Sequence, residues 1–450
     1  MENKAKNSNG SYLGFWAIVA IGVGGMVGGG IFAVLGLAVQ LAHGGTPVAF
    51  GLAGLVALVT TYSYSKLSVT YPSEGGTVEF INQAFKPGFF TGGMNVLLWI
   101  SYVVMLSLYS YAFGSYASTF FPEAIQTLMK HVCISGVIVI FMFLNVIGSK
   151  AVGRAETWIV GIKIVILLFF TVMGFSTIKA ANFMPSQWVS TIPLIAGGMI
   201  IFVAYEGFEL IANTANQVKH RAKTIPRAYF TAVIFVIILY IVIGMITVGN
   251  ITNLAEVAKY RDYILAEVAK PFLGQFGFVL ITIAALLATA SAVNATLYGS
   301  SRVSYIIAKD GELPNVLEKK VWGKQNMEGL FITAGVTLLV ANFFDLSSIS
   351  TMGSAGFLLI FAFVNISNVM LAKSTNSKKF ISLIGAIVCF IALFALVWQT
   401  AITMPSNIWV LVIMLGLSFL IEFVYKSITG KSIKTVLDPN LKENQTKNLD

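Results

Sequence analysis

The sequence is dominated by long apolar stretches separated by short polar segments. Twelve of these stretches approach the roughly 20 residues that a helix needs to cross the hydrocarbon core of a bilayer. They predict an all-α membrane protein with 12 transmembrane (TM) helices near residues 14–42, 47–70, 89–119, 131–148, 155–178, 192–214, 225–249, 274–308, 329–344, 346–372, 380–402 and 407–427. Hydrophobic residues make up 57% of the chain and charged residues 11%. A soluble domain has about 25% charged residues, so the composition excludes an ordinary soluble protein.

Two of the predicted spans are interrupted near their middles. The first holds GVGGMVGGGIF around Gly28, Gly29 and Gly30, and the sixth holds FVAYEGFELIAN around Glu206 and Gly207. A helix that stops inside hydrocarbon leaves N–H and C=O groups unpaired, which is tolerated only where protein, a cavity or a ligand satisfies them. Paired interruptions of this kind indicate the binding site of a secondary transporter.

The positions of the interruptions predict an internal symmetry. Five spans precede the second interruption, and an odd number means that the second unit starts from the opposite side of the membrane. We therefore predict two inverted repeats, TM1–5 over residues 14–178 and TM6–10 over residues 192–372, with broken helices 1 and 6 crossing at the centre. TM11–12, over residues 380–427, lie outside the repeat.

The basic residues predict the orientation, because cytoplasmic loops retain Lys and Arg. With the N-terminus inside, 23 of the 29 Lys and Arg residues fall in inner segments, five in outer loops and one, Lys163, within a span. Residues 1–13 and 428–450 are then cytoplasmic, and the long first span predicts an anchor in the cell membrane rather than a cleaved signal peptide. Attraction to anionic inner-leaflet lipid explains the net charge of +10 without nucleic acid.

Histidine and cysteine indicate neither metal nor disulfide chemistry. His43, His131 and His220 lack metal-ligand spacing, and Cys133 and Cys389 lie far apart in apolar segments. The sequence also lacks a nucleophile and base arrangement for covalent catalysis. We expect no cofactor, no metal site and no enzymatic activity.

The backbone of the two interruptions offers groups that suit a zwitterion. Gly28, Gly29 and Gly30 allow the chain to open, and the N–H groups of the following half-helix, at its positive dipole end, can hold a carboxylate. Close helix packing is the alternative use of such small residues. In span 6, the stretch Ala204–Gly207 is predicted to unwind and to offer carbonyl groups to an ammonium group.

Further residues are predicted to line this site. Val203 and Tyr205 would form apolar walls, although a tyrosine in a span is more often ordinary packing. Met26 in span 1, and Ser101 and Tyr102 in span 3, complete the predicted binding set. Serine in a span also serves as a hydrogen-bond partner between helices, which is the alternative for Ser101.

Charged residues deep in a membrane are functional candidates by default. Glu206 and Glu209 are three residues apart, so a helix places them on one face. Glu206 could contact substrate, titrate, or cap a half-helix. Lys163 lies near the midplane, where burial disfavours its charged form, so it is predicted to release and regain a proton. A structural ion pair with Glu206 or Glu209 is the alternative, and Ser291 and Asn294 in span 8 are predicted to meet Lys163 or the span 1 carbonyls.

Four motifs carry a resemblance to a known family. They are GGGIF in span 1, SEGGTVEFINQAF after span 2, GFE with a later IPRA around span 6, and SSRVSYIIAKDGELP at the end of span 8. Residues 10 to 430 resemble the amino acid–polyamine–organocation superfamily, and are most similar to prokaryotic permeases related to proton-coupled, broad-specificity and cationic amino acid transporters. Glu79 departs from the pattern, since many relatives carry Tyr there.

The resemblance implies a leucine-transporter-like 5+5 inverted-repeat fold and alternating access. It implies that the Gly28–Gly30 backbone binds the substrate α-carboxylate and that Glu206 falls where the substrate side chain is contacted. Lys163 resembles the span 5 lysine that replaces a sodium ion in proton-coupled relatives. Glu209 occupies the GFE position, where an acid has a structural or proton-linked role.

The sequence therefore predicts a secondary active permease that imports amino acids together with protons. A sodium symporter, or an amino acid or amine exchanger, is the alternative within transport. A channel would need a continuous polar path, whereas only three deep charges are found. A nutrient receptor would keep the pocket without turnover, and we find no appended signalling domain. The residues select no particular amino acid and no oligomeric state.

Overall fold

The computed structural model describes residues 12–147, 152–251, 257–309 and 327–429. The predicted cytoplasmic ends, apart from residues 12, 13, 428 and 429, and the polar segment that follows residue 309 lie outside these ranges. Within them the regular elements are helices, and the only β pairing is an isolated bridge between His43 and Trp188. The predicted all-α class is confirmed over this part of the chain.

Fifteen α-helices follow one another along the described chain. They are α1 Phe15–Met26, α2 Gly30–Ala42, α3 Thr46–Thr70, α4 Thr77–Phe85, α5 Phe89–Ser118, α6 Gln126–Ile147, α7 Val152–Phe175, α8 Thr191–Ile200, α9 Arg221–Asn250, α10 Val257–Tyr260, α11 Ile264–Lys309, α12 Met327–Phe343, α13 Leu346–Met370, α14 Lys379–Thr403 and α15 Pro405–Thr429. After α8 the chain continues as two 3₁₀ segments, Ile201–Tyr205 and Phe208–Gln217. A third helical break lies within α11 at Gly274, where φ is +61°.

Ten of the described helical segments are long and apolar enough to cross a membrane, or eleven if α1 and α2 form one span bent by 45°. The predicted ninth span corresponds to α12, which is apolar but only 17 residues long. A helix of that length sits at the lower limit for crossing the hydrocarbon core. The structure thus supports a protein with about ten or eleven apolar spans, and the twelfth remains a prediction.

Helices differ strongly in how much of their apolar surface is covered by protein. We compare the most apolar 18 residues of each span. Of these residues, 89% are buried in α5 and in the span Thr191–Gln217, against 17% in the span that contains α6 and 28% in α15. Large apolar side chains such as Phe394 and Trp409 remain exposed on the outer helices. An apolar surface of this extent requires an apolar solvent, as expected for helices that face lipid.

The two broken spans cross at the centre of the bundle. A Cβ atom on Gly25 would lie 2.8 Å from the carbonyl oxygen of Gly207, and one on Gly30 would lie 2.8 Å from the Cα of Ala204. The last turn of α1 therefore contacts the second half of span 6, whereas the first turn of α2 contacts the first half. The spans run antiparallel with their breaks side by side.

Candidate functional site

The first break separates α1 from α2 over three residues. α1 ends at Met26, and α2 begins at Gly30 after Gly29 has left helical geometry with φ −137°. The first N–H groups of any helix lack an intrahelical partner, so those of α2 point into the break. A Cβ on Gly29 would lie 2.3 Å from the Cδ1 atom of Tyr109. Close packing is therefore present at Gly29, and the Gly28 N–H donates to the carbonyl oxygen of Gly25 over 3.1 Å.

The second break is narrower than the sequence predicts. Ala204 and Tyr205 belong to the 3₁₀ turn Ile201–Tyr205, and only Glu206 and Gly207 leave helical geometry. Glu206 is extended with ψ 147°, and Gly207 is left-handed with φ +113°, a conformation that favours glycine. The 3₁₀ segment from Phe208 then carries the chain away from the break.

Two serines of α13 hold the end of α8. The Oγ atoms of Ser350 and Ser354 donate to the carbonyl oxygen of Ile200 over 2.8 and 2.7 Å, and the N–H of Val203 donates to Ser354 Oγ over 2.9 Å. These bonds satisfy backbone groups that the end of α8 would otherwise leave unpaired. The first half of span 6 is thereby anchored to α13.

Tyr240 of α9 connects the two breaks. Its hydroxyl lies 2.7 Å from the carbonyl oxygen of Met26 and 3.2 Å from that of Ala204. The ring is fully buried and packs against Tyr205 and Phe50, with centroids 5.1 and 5.7 Å away. The predicted binding residues Met26 and Ala204 are thus brought together by a side chain that the sequence analysis did not select.

Two buried carboxyl groups lie beside the second break. Glu206 Oε2 accepts a 2.9 Å hydrogen bond from the Tyr109 hydroxyl, and Glu209 Oε1 accepts one of 3.4 Å from Tyr102. Glu209 Oε2 accepts the N–H of Gly207 over 2.8 Å. The two carboxyl groups lie close enough to interact with each other. The predicted proximity of Glu206 and Glu209 is present although the helix is broken between them.

Lys163 of α7 points into the same region from the other side of α1. Its side chain is 1% exposed, and Nζ donates to the carbonyl oxygen of Gly24 over 3.2 Å. Gly24 precedes Gly25, which packs on Gly207. The ammonium group therefore contacts the last turn of α1 just before the first break.

Two predicted residues, Ser101 and Tyr205, bond backbone carbonyl groups. Ser101 donates to Leu97 of its own helix, and its Oγ faces Gly356 of α13. The Tyr205 hydroxyl donates to the carbonyl oxygen of Phe50. Both hydroxyl groups thus bond backbone carbonyls, while the Tyr205 ring packs against Tyr240 beside the breaks.

The span 8 candidates lie beside α6 and the first break. Asn294 accepts a 3.0 Å hydrogen bond from Asn145 of α6. Ser291 is half-buried, and the next residue, Ala292, has its Cβ 3.0 Å from a Cβ built on Gly28. Val203, in span 6, has its side chain against Gly353 of α13.

The space around the carboxyl pair is small. A cavity of about 20 Å³ beside Glu206 has room for about one water molecule and not for an amino acid. Its lining consists of Tyr102, Glu206, Leu210, Asn213, Ala295, Thr296, Gly299, Ser300 and Val303. The helices must therefore separate before a larger ligand enters.

A larger cavity of about 330 Å³ lies among the end of α5, the start of α6 and the α10 segment, away from both breaks. Its polar lining includes Lys130 and Arg261, each of which pairs with Asp262. Among the described residues, no group of three or more His, Cys, Asp or Glu side chains could hold a metal ion.

The sequence analysis missed Tyr109, Tyr240, Ser350 and Ser354. Each had a weak signal: Tyr109 lies seven residues, or about two turns, after Tyr102, and the two serines are four residues apart on one helix face. Tyr240 interrupts the apolar run VIFVIILYIVIG. None of these signals identifies a partner, because the partners are backbone groups at the breaks or, for Tyr109, the Glu206 carboxyl group, all on other helices.

Comparison with known proteins gives the chain a family. A sequence profile described as amino acid permease matches residues 13–419. An uncharacterized protein of Methanocaldococcus jannaschii is 34% identical over 93% of this chain and 96% of its own length. The inner membrane transport protein YbaT of Escherichia coli is 32% identical over 89% and 93%. The low-affinity putrescine importer PlaP of Escherichia coli is 25% identical over 78% of each chain.

Proposed function

Because the chain belongs to the amino acid permease family, we propose that it carries amino acids or related amines into the cell by proton-coupled symport. The observation that supports this most directly is the crossing of two broken spans beside a buried ammonium group. The family and the named transport relatives are transporters rather than enzymes. With its apolar helices, the chain is an integral membrane protein.

In the proposed binding mode, the substrate lies across both breaks. Its α-carboxylate accepts hydrogen bonds from the N–H groups around Gly28–Gly30, at the positive end of the α2 dipole. Its ammonium group donates to carbonyl groups of span 6, among them that of Ala204. The carboxyl group of Glu206 then faces the substrate side chain, which favours polar or cationic substrates. That PlaP is named a putrescine importer supports the inclusion of amines.

Proton coupling is proposed to act through Lys163. In its charged form the side chain donates to Gly24 and holds the last turn of α1 against α7. Loss of the proton weakens this charge-assisted hydrogen bond and frees the half-helix to move with substrate. Glu209 and Ser291 are proposed to take part in the same proton-linked step. A purely structural lysine in hydrocarbon would be rare.

The proposed architecture is twelve spans, with α12 as the ninth. TM1–5 over residues 14–178 and TM6–10 over residues 192–372 form the inverted repeats, TM11–12 over residues 380–427 lie outside, and both termini are cytoplasmic. The antiparallel crossing of α1–α2 with span 6 supports an inverted relation. Alternating access then results from spans 1, 2, 6 and 7 rocking against the remainder.

The test is uptake of radiolabelled alanine, leucine, lysine and putrescine into proteoliposomes. An inward proton gradient is imposed without sodium, and wild type is compared with Lys163→Ala. We expect wild type to accumulate substrate above equilibrium and Lys163→Ala to show at most passive equilibration. Lys66→Ala is the control, because Lys66 lies near the end of α3 and donates to the carbonyl oxygen of Asn376 rather than to span 1; it should behave as wild type.

The alternatives predict different results in the same assay. Equal accumulation by wild type and Lys163→Ala would refute coupling through this lysine while keeping the permease. Dependence on sodium, or on substrate inside the vesicles, would indicate a sodium symporter or an exchanger. Absence of uptake of all four probes by wild type would contradict the proposed substrate class.

A further inference from the structure

The hydroxyl of Tyr240 has more acceptors than it can serve. It lies within hydrogen-bond distance of the carbonyl oxygens of Met26 and Ala204, at 2.7 and 3.2 Å, yet a hydroxyl carries one hydrogen. The backbone N–H of Ile31, in the first turn of α2, interacts with the same hydroxyl. One buried side chain thus meets backbone groups of both breaks.

These backbone groups are the kinds that a zwitterion needs. Two carbonyl oxygens accept from an ammonium group, which brings three donors, and an N–H at a helix start donates to a carboxylate. An ammonium would satisfy both carbonyls together, which the single hydroxyl hydrogen cannot do. The Tyr240 hydroxyl already lies at these two carbonyl oxygens, so an ammonium group that bonds both of them must take the place of the hydroxyl.

We propose that the Tyr240 hydroxyl is a placeholder that bonds both breaks in the empty protein and yields its partners to the substrate. This inference rests on the proposed function and deepens it. A group that bonds only one of two states shifts the balance toward that state. Tyr240 therefore stabilises the empty, closed conformation specifically.

The consequence differs between two modes of transport. Net uptake requires the empty protein to return across the membrane, whereas exchange of internal for external substrate does not. Without the hydroxyl, the empty state leaves two buried carbonyl groups without a donor, which is costly. The substrate-bound state loses nothing. Net uptake should therefore slow while exchange continues.

The experiment compares Tyr240→Phe with wild type in proteoliposomes, with labelled alanine, leucine, lysine and putrescine as probes. Net uptake is measured into vesicles without internal substrate, and exchange into vesicles loaded with the same probe. We expect Tyr240→Phe to lower net uptake about fivefold or more, the effect of roughly 1 kcal/mol. Exchange should stay within about twofold, with a lower KM, since substrate no longer competes with the hydroxyl.

Tyr229→Phe provides the matched control. Tyr229 is also buried on α9, but its hydroxyl bonds Ser68 at 3.2 Å rather than either break. Tyr229→Phe should change net uptake and exchange equally, or should change neither. The placeholder role of Tyr240 would be refuted if Tyr240→Phe lost net uptake and exchange in parallel, or if it showed a higher KM for exchange. Failure of wild type to move any probe would overturn the proposed function as well.

A second measurement keeps the proposal testable if Tyr240→Phe fails to fold. Incorporation of 3-fluorotyrosine at position 240 retains the hydroxyl and reports its surroundings by fluorine NMR. Saturation with the probe that wild type transports fastest should shift this signal, because the hydroxyl loses its carbonyl partners. A signal that stays unchanged at saturation would refute the exchange of partners.

Discussion

At the scale of single residues, position 207 requires glycine for two reasons, its backbone conformation and its close neighbours. Its φ is +113°, and a Cβ would lie 2.5 Å from the carbonyl carbon of Gly25 and 2.7 Å from the nitrogen of Met26. Since both contacts are backbone, neither can move aside cheaply. We expect Gly207→Ala to destabilise the protein by about 2 kcal/mol or more, measured by thermal unfolding of the purified protein in detergent.

Gly335→Ala is the control for this substitution. Gly335 lies in α12, and nothing stands within 4 Å of a Cβ built there. The substitution should be neutral or stabilise by up to about 1 kcal/mol, because alanine loses less entropy in a helix. Similar unfolding temperatures for the two variants would contradict the tight crossing of the broken spans.

The tyrosines beside the carboxyl pair provide a graded test. Tyr109 donates a 2.9 Å hydrogen bond to Glu206, whereas Tyr102 donates one of 3.4 Å to Glu209. Glu209 also accepts a hydrogen bond from the N–H of Gly207. Loss of a donor to a buried acceptor costs about 1–3 kcal/mol. Tyr109→Phe should therefore lower thermal stability and uptake more than Tyr102→Phe. The reverse order would show that Glu206 does not depend on this hydrogen bond.

Charge alone identified the deep residues, whereas neutral residues were harder to assign. Glu206, Glu209 and Lys163 were selected because charge in hydrocarbon needs a reason, and all three are buried near the breaks. Ser101 and Tyr205 were selected by position within a span, and they bond Leu97 and Phe50 instead. A neutral polar side chain has many acceptable partners, so its orientation depends on the neighbouring helix.

At the scale of helices, α13 anchors the end of α8, just before the break in span 6. Ser354 accepts a hydrogen bond from the N–H of Val203 and donates one to the carbonyl oxygen of Ile200. Ser350 donates to the same oxygen. Ser354→Ala should destabilise by about 1–3 kcal/mol and reduce uptake, because it leaves a buried N–H unpaired. Ser350→Ala should have a smaller effect, since Ser354 still serves the Ile200 oxygen. Thermal unfolding and uptake of both variants test this order, and equal effects would contradict it.

Helix positions were predictable, whereas helix type was not. Apolar runs located the described long helices within a few residues, since hydropathy responds directly to lipid. The exception is α11, which begins at Ile264 rather than at the predicted residue 274 and bends at Gly274. The 3₁₀ form of Phe208–Gln217 and the narrow break at Glu206 and Gly207 have no such signature. They depend on which backbone groups find partners on α9 and α13.

At the scale of the whole molecule, an ion pair joins two parts of the bundle next to the small cavity. Glu74, in the loop between α3 and α4, pairs with Arg302 of α11. Ser300 precedes Arg302 by two residues on α11, lines the cavity and is 1% exposed. Because both charged side chains are partly exposed, the pair contributes about 0–1 kcal/mol, enough to bias an opening without determining stability.

Breaking this pair should make the cavity more accessible. In detergent, a cysteine introduced as Ser300→Cys should react about two to five times faster with a charged thiol reagent when combined with Glu74→Gln. The native half-buried Cys133 is an internal control and should react at an unchanged rate, while Cys389 is buried. An unchanged rate at position 300 would exclude the ion pair as a restraint on opening.

The sequence by itself determined the membrane class, the family motifs, the two interruptions and the deep charges. Each of these depends on the transfer of residues from water to lipid or on local backbone freedom, which the chain carries without its neighbours. Only the tertiary structure decided which groups fill the breaks: the Tyr240 hydroxyl at Met26 and Ala204, the α13 serines at Ile200, and Tyr109 at Glu206. Hydrogen bonds require partners within about 3 Å, and helices far apart in sequence reach that distance only by packing.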